Sequence, residues 1–194
     1  MSDRRMPFLL ASAFALVFLL PLCAPSHAAE TVALFLKGQK QGEIKGESAQ
    51  RSPARTDSIE CLYYEQGAVS PRDAASGLPT GKRTYRQVVF RKRIDRSSPL
   101  LWQAMATNEN LPEATFKFFR PTTSGLGLGV QEQFYTVKLT NASIASIRDY
   151  VPSTVDPTTA SQPPMEEVTL TFQKIEWTFT TGGITSMDTW SATP

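Results

Sequence analysis

The side chains that most often carry out catalysis are nearly absent from this sequence. The chain has a single histidine, His27, and two cysteines, Cys23 and Cys61. His27 lies in an N-terminal leader that we expect to be removed, so no imidazole remains to activate a nucleophile or to bind a metal ion. Glu166 and Glu167 are neighbours on a predicted strand and point to opposite faces, so they cannot act together as acid and base. The sequence therefore predicts a non-enzymatic protein without a metal site.

One glycine-rich segment, GLGLG at residues 125–129, has the composition of a nucleotide-binding loop. Such loops belong to a βαβ unit, and the phosphate-binding type continues with Gly-Lys-Ser or Gly-Lys-Thr. Neither context surrounds this segment. We therefore interpret it as a flexible loop and predict no cofactor.

A basic run between residues 82 and 96 contains seven lysines and arginines. On a strand, alternation would place Arg91 and Arg93 on one face and Arg86 and Lys92 on the other. The run is either a solvated strand face or a charged surface that lines a lumen or contacts another subunit. Exposed aromatic residues at stacking intervals do not accompany it, so single-stranded nucleic acid is not an expected partner.

The N-terminal segment has the three parts of a secretory signal peptide. Arg4 and Arg5 precede an uncharged apolar run, and the small residues Ser26 and Ala28 follow it. This pattern predicts cleavage between Ala28 and Ala29 and an exported protein, periplasmic or secreted, with no stable membrane anchor after cleavage. An uncleaved membrane anchor is the alternative, because the apolar run is nearly long enough to cross a bilayer.

Residues 29–194 are long enough for one domain with a substantial core. Of 20 Lys and Arg and 18 Asp and Glu, removal of the leader takes Arg4, Arg5 and Asp3, which leaves 18 and 17. This near-neutral balance argues against a dedicated nucleic-acid-binding protein. Cys61 has no partner for an intramolecular disulfide, so we interpret it as a buried apolar residue, with an intermolecular bridge as the alternative.

The elements that must position these residues are mainly strands. Alternating segments rich in aromatic and β-branched residues predict seven strands and a barrel or sandwich. They lie at residues 31–37, 58–66, 85–94, 113–120, 133–140, 142–151 and 166–180. We expect a hairpin at the junction of Asn141 and Ala142 and a bulge near Gln173 and Lys174, which would return Trp177 to the core.

One helix is predicted between the third and fourth strands. Ser98 has the type of an N-cap and Pro99 suits the first helical position. Leu101, Ala104 and Met105 then share an apolar face that would pack on the barrel.

Four segments together are similar to Hcp, the haemolysin-coregulated tube protein of type VI secretion. The most specific features are GEIKGES and the join from a strand through IDRSSPLL to the helix. The four segments, in chain order, are LFLKGQKQGEIKGES at 34–48, VVFRKRIDRSSPLLWQAMA at 88–106, FYTVKLTNASIASI at 134–147 and EEVTLTFQKIEWTFT at 166–180.

The resemblance implies a small β-barrel with one flanking helix, which assembles into a hexameric ring with a wide pore and performs no catalysis. In that family rings stack into a tube, and small effector proteins can occupy the lumen. By this analogy the helix at 99–107 would lie towards the pore, and the loop at 68–82 would reach a neighbouring ring. Within that loop the implied stacking residues are Pro71, Arg72, Asp73, Gly77, Leu78 and Pro79.

The signal peptide departs from the family pattern, because tube subunits of this family carry no cleavable signal. The leading hypothesis is a ring-forming structural protein. The alternative is an exported Hcp-like binding or accessory module outside an injector tube, and the third is a secreted hydrolase that uses serine and carboxylate groups.

The processed protein should begin at Ala29, because small residues at positions 26 and 28 fit the signal peptidase. N-terminal sequencing of exported protein checks this expectation, and recovery of Met1 from exported material would contradict it.

Overall fold

The computed structural model describes residues 30–51, 55–122 and 130–190. The expected cleavage site and the GLGLG segment lie outside these residues. Within them the chain forms eleven strands and one helix. The elements are β1 (Thr31–Gly38), β2 (Gly42–Ile44), β3 (Ile59–Glu65), β4 (Ala68–Val69), β5 (Thr84–Tyr85), β6 (Val88–Arg93), α1 (Ser98–Ala106), β7 (Leu111–Pro121), β8 (Gln131–Tyr150), β9 (Met165–Thr171), β10 (Lys174–Phe179) and β11 (Ile184–Thr189).

Six antiparallel strands close into a barrel in the order β8, β7, β1, β3, β6, β9 and back to β8. The β10–β11 hairpin continues from the outside of β8, β2 extends β1, and β4 and β5 form a separate two-stranded sheet. The expectation of a mainly-β barrel with one flanking helix is therefore confirmed. In the closed barrel each of the six strands is hydrogen-bonded on both edges along part of its length. Few backbone N–H and C=O groups of these strands are therefore left without a strand partner.

Alternation along the strands fills the barrel with apolar side chains. Ten fully buried residues illustrate it: Leu34, Ile59, Val88, Phe90, Leu111, Phe116, Leu139, Val168, Leu170 and Ile175. Cys61 belongs to the same core and is 7% exposed, so its interpretation as a buried apolar residue is correct. Burial raises the pKa of its thiol, which keeps the sulfur protonated and unreactive.

The predicted hairpin at Asn141 and Ala142 is wrong. β8 runs through this junction without reversing, and Asn141 adopts a φ of 50°, a left-handed conformation that asparagine tolerates better than most residues. The first half of β8 pairs with β7 and β10, and the second half pairs with β9. Asn141 therefore marks a bend where the strand changes partners.

The irregularity expected near Gln173 is present as a break between β9 and β10. Both β9 and β10 pair with β8, and at the break the amide of Gln173 donates to the carbonyl of Thr140 at 3.2 Å. Phe172 and Ile175 consequently both reach the core, although their spacing is odd. Trp177 is only partly buried, so the expectation of a core tryptophan holds in part.

Helix α1 begins one residue earlier than the sequence suggested. Ser98 is the first helical residue and Ser97 occupies the cap position without a side-chain cap bond. The hydroxyl of Ser98 is used elsewhere, as described below. Leu101 and Ala104 are buried as expected, and the helix packs against β8.

A buried carboxylate anchors the turn between β1 and β2. Glu109, which follows the helix and is 3% exposed, accepts hydrogen bonds from the backbone amides of Lys40 at 2.6 Å and Gln41 at 2.9 Å and from the side chain of Gln41 at 3.0 Å. Gly38 leaves room for it, because a Cβ there would lie 2.6 Å from the Glu109 Oε1 atom and would have to displace that carboxylate. Desolvation opposes ionisation, but these hydrogen bonds hold the pKa of Glu109 below its usual value.

Replacing Glu109 with Gln should lower the free energy of unfolding by about 1.5–3 kcal/mol at pH 7, as expected for hydrogen bonds to a charged group. Because the folded-state pKa is lowered, the contribution is complete above the ordinary glutamate pKa of about 4.3 and is lost as the pH falls through the folded-state value. Urea denaturation of both proteins between pH 7 and pH 3 measures the difference. Glu43→Gln, at an exposed carboxylate, is the control. A difference that does not change with pH would contradict the assignment.

Candidate assembly surfaces

The structure separates the four basic residues singled out in the sequence. Arg91 and Arg93 project from the outer face of β6, and Arg86 is exposed where β5 joins β6. Lys92 points inwards with Val88 and Phe90 and is 1% exposed. The prediction that Lys92 contacts a lumen or another subunit is therefore wrong, because its ammonium group is enclosed by its own barrel.

Lys92 is the centre of a buried ionic network. Its Nζ atom lies 2.7 Å from Glu166 Oε2, 2.8 Å from Asp95 Oδ1 and 2.8 Å from Ser98 Oγ. It also donates to the carbonyl of Arg93 at 3.0 Å. Lys92 and Glu166 are directly opposite in the β6–β9 register, so the network joins two barrel strands to the first turn of α1.

The sequence contained a signal for this network. Lys92 is in phase with the apolar residues Val88 and Phe90, and Glu166 is in phase with Val168 and Leu170. A basic and an acidic residue that each share a buried strand face indicate an internal pair. Burial raises the pKa of Glu166, whereas Lys92 and Ser98 oppose that shift, and its Oε1 atom has no hydrogen-bond partner among the described residues.

The outer face of the same strands carries a row of charged and aromatic side chains. We call this row the arginine ladder; its members are Tyr63, Arg91, Glu167, Arg148 and Tyr150. Arg91 lies over the Tyr63 ring at 4.4 Å and donates to Glu167 at 2.7 Å. Arg148 approaches the same carboxylate at 3.6 Å and lies 5.0 Å from the centre of the Tyr150 ring. Four members are consecutive cross-strand neighbours on β3, β6, β9 and β8. Arg91 is therefore oriented by neighbours on both sides, whereas Arg148, which is 65% exposed, makes only longer contacts.

Apolar side chains accompany the ladder. Leu62 and Ile94 are 53% and 44% exposed and, with Arg93, line a shallow depression of about 210 Å³ that Glu47 and Glu60 also border. Arg93 has no ion pair among the described residues. A patch that combines exposed aliphatic groups with an unpaired, protruding arginine has the composition of a protein-binding surface.

A second surface is a β-hairpin that projects from the barrel. We call residues 68–85 the arm; β4 and β5 pair at its base and an isolated bridge joins Arg72 to Pro79 further out. Its turn is closed by Asp73, whose carboxylate accepts from the amide of Ser76 at 2.7 Å and from the Ser76 hydroxyl at 2.7 Å. The structure thus brings together in one exposed hairpin all six residues implied for stacking: Pro71, Arg72, Asp73, Gly77, Leu78 and Pro79.

The described part of the chain contains no cluster of three or more histidine, cysteine, aspartate or glutamate residues that could hold a metal ion. Among those same residues, no helix has the length and apolar character needed to cross a membrane.

Comparison with known sequences finds a family match and a similar curated protein. The family model described as "Type VI secretion system effector, Hcp" matches residues 35–179. The Major exported protein of Pseudomonas aeruginosa is 33% identical over 162 residues, which cover 80% of this chain and 92% of that protein.

Solved structures show the same fold. A crystal structure of an Hcp protein has a TM-score of 0.75 and 26% identity, and the match covers 85% of this chain and all of the other. A variant of Hcp1 from the E. coli EAEC 042 pathovar has a TM-score of 0.71 and 30% identity, covering 84% of this chain and 99% of the other.

The buried network predicts a strongly non-additive pair of substitutions. Lys92→Met should cost about 3–5 kcal/mol because it leaves the Glu166 carboxylate buried without a counter-charge. The double variant Lys92→Met with Glu166→Leu should recover most of that loss, since apolar side chains of similar size can replace a buried ion pair. Chemical denaturation measures both.

The matched control for these variants is Arg120→Gln, which breaks an exposed pair with Glu132 and should cost about 0–1 kcal/mol. Additive losses in the double variant would show that the two groups do not depend on each other.

Proposed function

This chain belongs to the Hcp family, and on that premise we propose that it is a non-enzymatic structural subunit whose barrels assemble as a closed ring of six. The rings stack into a tube whose lumen carries small secreted effector proteins. The observation that carries this proposal is a closed barrel with two exposed surfaces that could bind other subunits. One is the arginine ladder with its apolar neighbours, and the other is the projecting arm. A cyclic ring uses one pair of complementary surfaces at every junction and leaves none unsatisfied.

The ladder side of the barrel supplies one half of the proposed ring interface. Arg91 is pre-oriented by Glu167 and Tyr63, so little side-chain entropy is lost when a neighbour binds it. Leu62 and Ile94 provide apolar area that becomes buried, and this area contributes most of the affinity. The charges of Arg86, Arg91 and Arg93 then set the register and the salt sensitivity of the contact.

The arm supplies the proposed contact between rings. Its side chains make few contacts with the barrel beyond its base, and Leu78 near its tip is 65% exposed. A hairpin that displays an aliphatic residue to solvent suits insertion against a second ring, where that residue becomes buried.

Export is the second part of the proposal. The leader with its cleavage site between Ala28 and Ala29 supports passage through the general secretion route, to the periplasm or beyond, and the similar Pseudomonas protein is named as exported. The same leader favours a second candidate function, an exported Hcp-like accessory module that does not build an injector tube. Single-domain organisation of residues 29–194 is common to both candidates.

The proposed ring predicts that the protein forms hexamers as its concentration rises and that charge reversal at the interface weakens this assembly. Light scattering of the processed wild type should give six copies. Arg91→Glu with Arg93→Glu should raise the concentration for half-assembly by about tenfold or more, as for loss of an interfacial charge pair worth about 1.5 kcal/mol. The effect should be larger at low salt, where screening is weakest.

The control is Arg120→Glu, which reverses an arginine of nearly the same exposure, 38% against 39% for Arg91, on β7. A wild type that remains monomeric at high concentration would overturn the ring and favour the exported module. Dissociation by the control alone would move the interface to the β7–β8 face.

If the arm mediates stacking, a substitution at its tip should prevent tube formation while hexameric rings still form. Leu78→Asp should leave hexamers intact and shorten or abolish ring stacks seen by negative-stain microscopy, because a carboxylate would have to be desolvated at the contact. Val155→Asp, at an aliphatic residue that is 89% exposed outside the arm, is the control. Unchanged stacks of Leu78→Asp would remove the arm from the ring–ring contact.

A further inference from the structure

The base of the arm is attached to the last hairpin of the chain. Asp188 on β11 accepts hydrogen bonds from the Nε and Nη2 groups of Arg83 and from the hydroxyl of Tyr85. Arg83 and Asp188 are 105 residues apart in the sequence. A bidentate pair of hydrogen bonds between a guanidinium and a carboxylate fixes the relative orientation of the two groups as well as their distance.

Aromatic packing strengthens the same junction. The Tyr85 ring is 6% exposed and lies 5.5 Å from Phe172, 6.5 Å from Trp177 and 5.9 Å from Trp190. Phe172 and Trp190 also pack edge to face at 5.0 Å. The exit strand of the arm is thereby held in a cluster formed by β10, the residue that follows β11 and the break before β10.

The entry side of the arm is held by the same hairpin. Trp177 on β10 donates its indole N–H to the side chain of Gln66 at 3.0 Å, two residues before β4 begins. The β10–β11 hairpin therefore contacts the chain on both sides of the arm's base: Gln66 just before the arm, and Arg83 and Tyr85 at its exit.

Beyond this base, the described hydrogen bonds of the arm are internal. Asp73 binds Ala75 and Ser76, and Arg72 donates to the carbonyl of Gly77. From Val69 to Asp73 the hairpin extends about 13 Å at the usual rise per residue. A change of tilt of about 10° at the base would move the tip by about 2 Å, which is enough to misplace a packed contact.

We propose that Asp188 is the positioning residue of the arm: its carboxylate holds Arg83 and Tyr85 so that the hairpin leaves the barrel in one fixed direction. The inference rests on the proposed stacking role of the arm, because a fixed direction matters only where the tip must meet a second ring. The β10–β11 hairpin then supports the base of the arm. Loss of the Asp188 charge widens the range of arm directions. The barrel is not disturbed, because its six strands do not include β11.

The test uses Asp188→Asn, which keeps the shape and removes the charge, with Asp188→Glu as the conservative rescue and Tyr85→Phe as the removal of one hydrogen bond. Glu132→Gln, at an ion pair away from the arm, is the matched control. The first readout is amide hydrogen exchange of residues 66–86 in the processed protein. Asp188→Asn should accelerate it by about fivefold or more, Tyr85→Phe by less, and Asp188→Glu should stay closer to wild type.

The second readout is assembly. Asp188→Asn should form hexamers at the wild-type concentration but shorter stacks, whereas Glu132→Gln should change neither exchange nor stacking. Unchanged arm exchange in Asp188→Asn would overturn the proposal. So would accelerated exchange accompanied by stacks of wild-type length.

Failure of the proposed function is distinguishable from failure of this inference. A wild type without rings or stacks would overturn the assembly role, and the exchange experiment would still decide whether Asp188 fixes the arm. Loss of exchange protection throughout the barrel in Asp188→Asn would also count against the proposal, because it would show a general structural role for Asp188.

Discussion

The fold depends on the length of β8. Its 20 residues allow one strand to pair with β7 and β10 in its first half and with β9 in its second half. The pairing with β9 closes the barrel, and the pairing with β10 carries the chain outside it. Asn141 supplies the local bend between the two halves, where a left-handed residue costs least if it is asparagine or glycine. Without this shared strand, the barrel would be open and β10 would have no barrel strand to pair with.

Among the described residues, buried charges of opposite sign meet at one junction inside the barrel. Lys92, Glu166, Asp95 and Ser98 meet where β6, β9 and the start of α1 converge. Two buried charges are expensive to desolvate, and pairing at close range offsets that cost, so the fold is destabilised when one partner is removed. The network also restricts how these elements can pack, since a shift of the β6–β9 register would separate Lys92 from Glu166 and leave the Glu166 carboxylate without its counter-charge.

The same strands carry opposite chemistry on their two faces. Inside, the charges are enclosed and paired; outside, the arginine ladder presents Arg91, which is oriented by Glu167 and Tyr63 and remains accessible. The two candidate assembly surfaces, the arginine ladder and the arm, lie on the outside of the barrel. A rigid barrel gives those surfaces fixed geometry, and the arm extends that geometry away from the barrel through its attachment to β11.

The sequence by itself determined the fold class, the single helix, the burial of Cys61 and the two faces of β6, because alternation and helix-start chemistry depend on residues that are close along the chain. The motifs GEIKGES and IDRSSPLL also carried the family. Tertiary structure alone decided which distant residues meet: Lys92 with Glu166, Arg83 with Asp188, and Asn141 as a bend in one strand. A local pattern tells which way a side chain points, but its partner depends on strand order and register, and these are set by how the whole core packs.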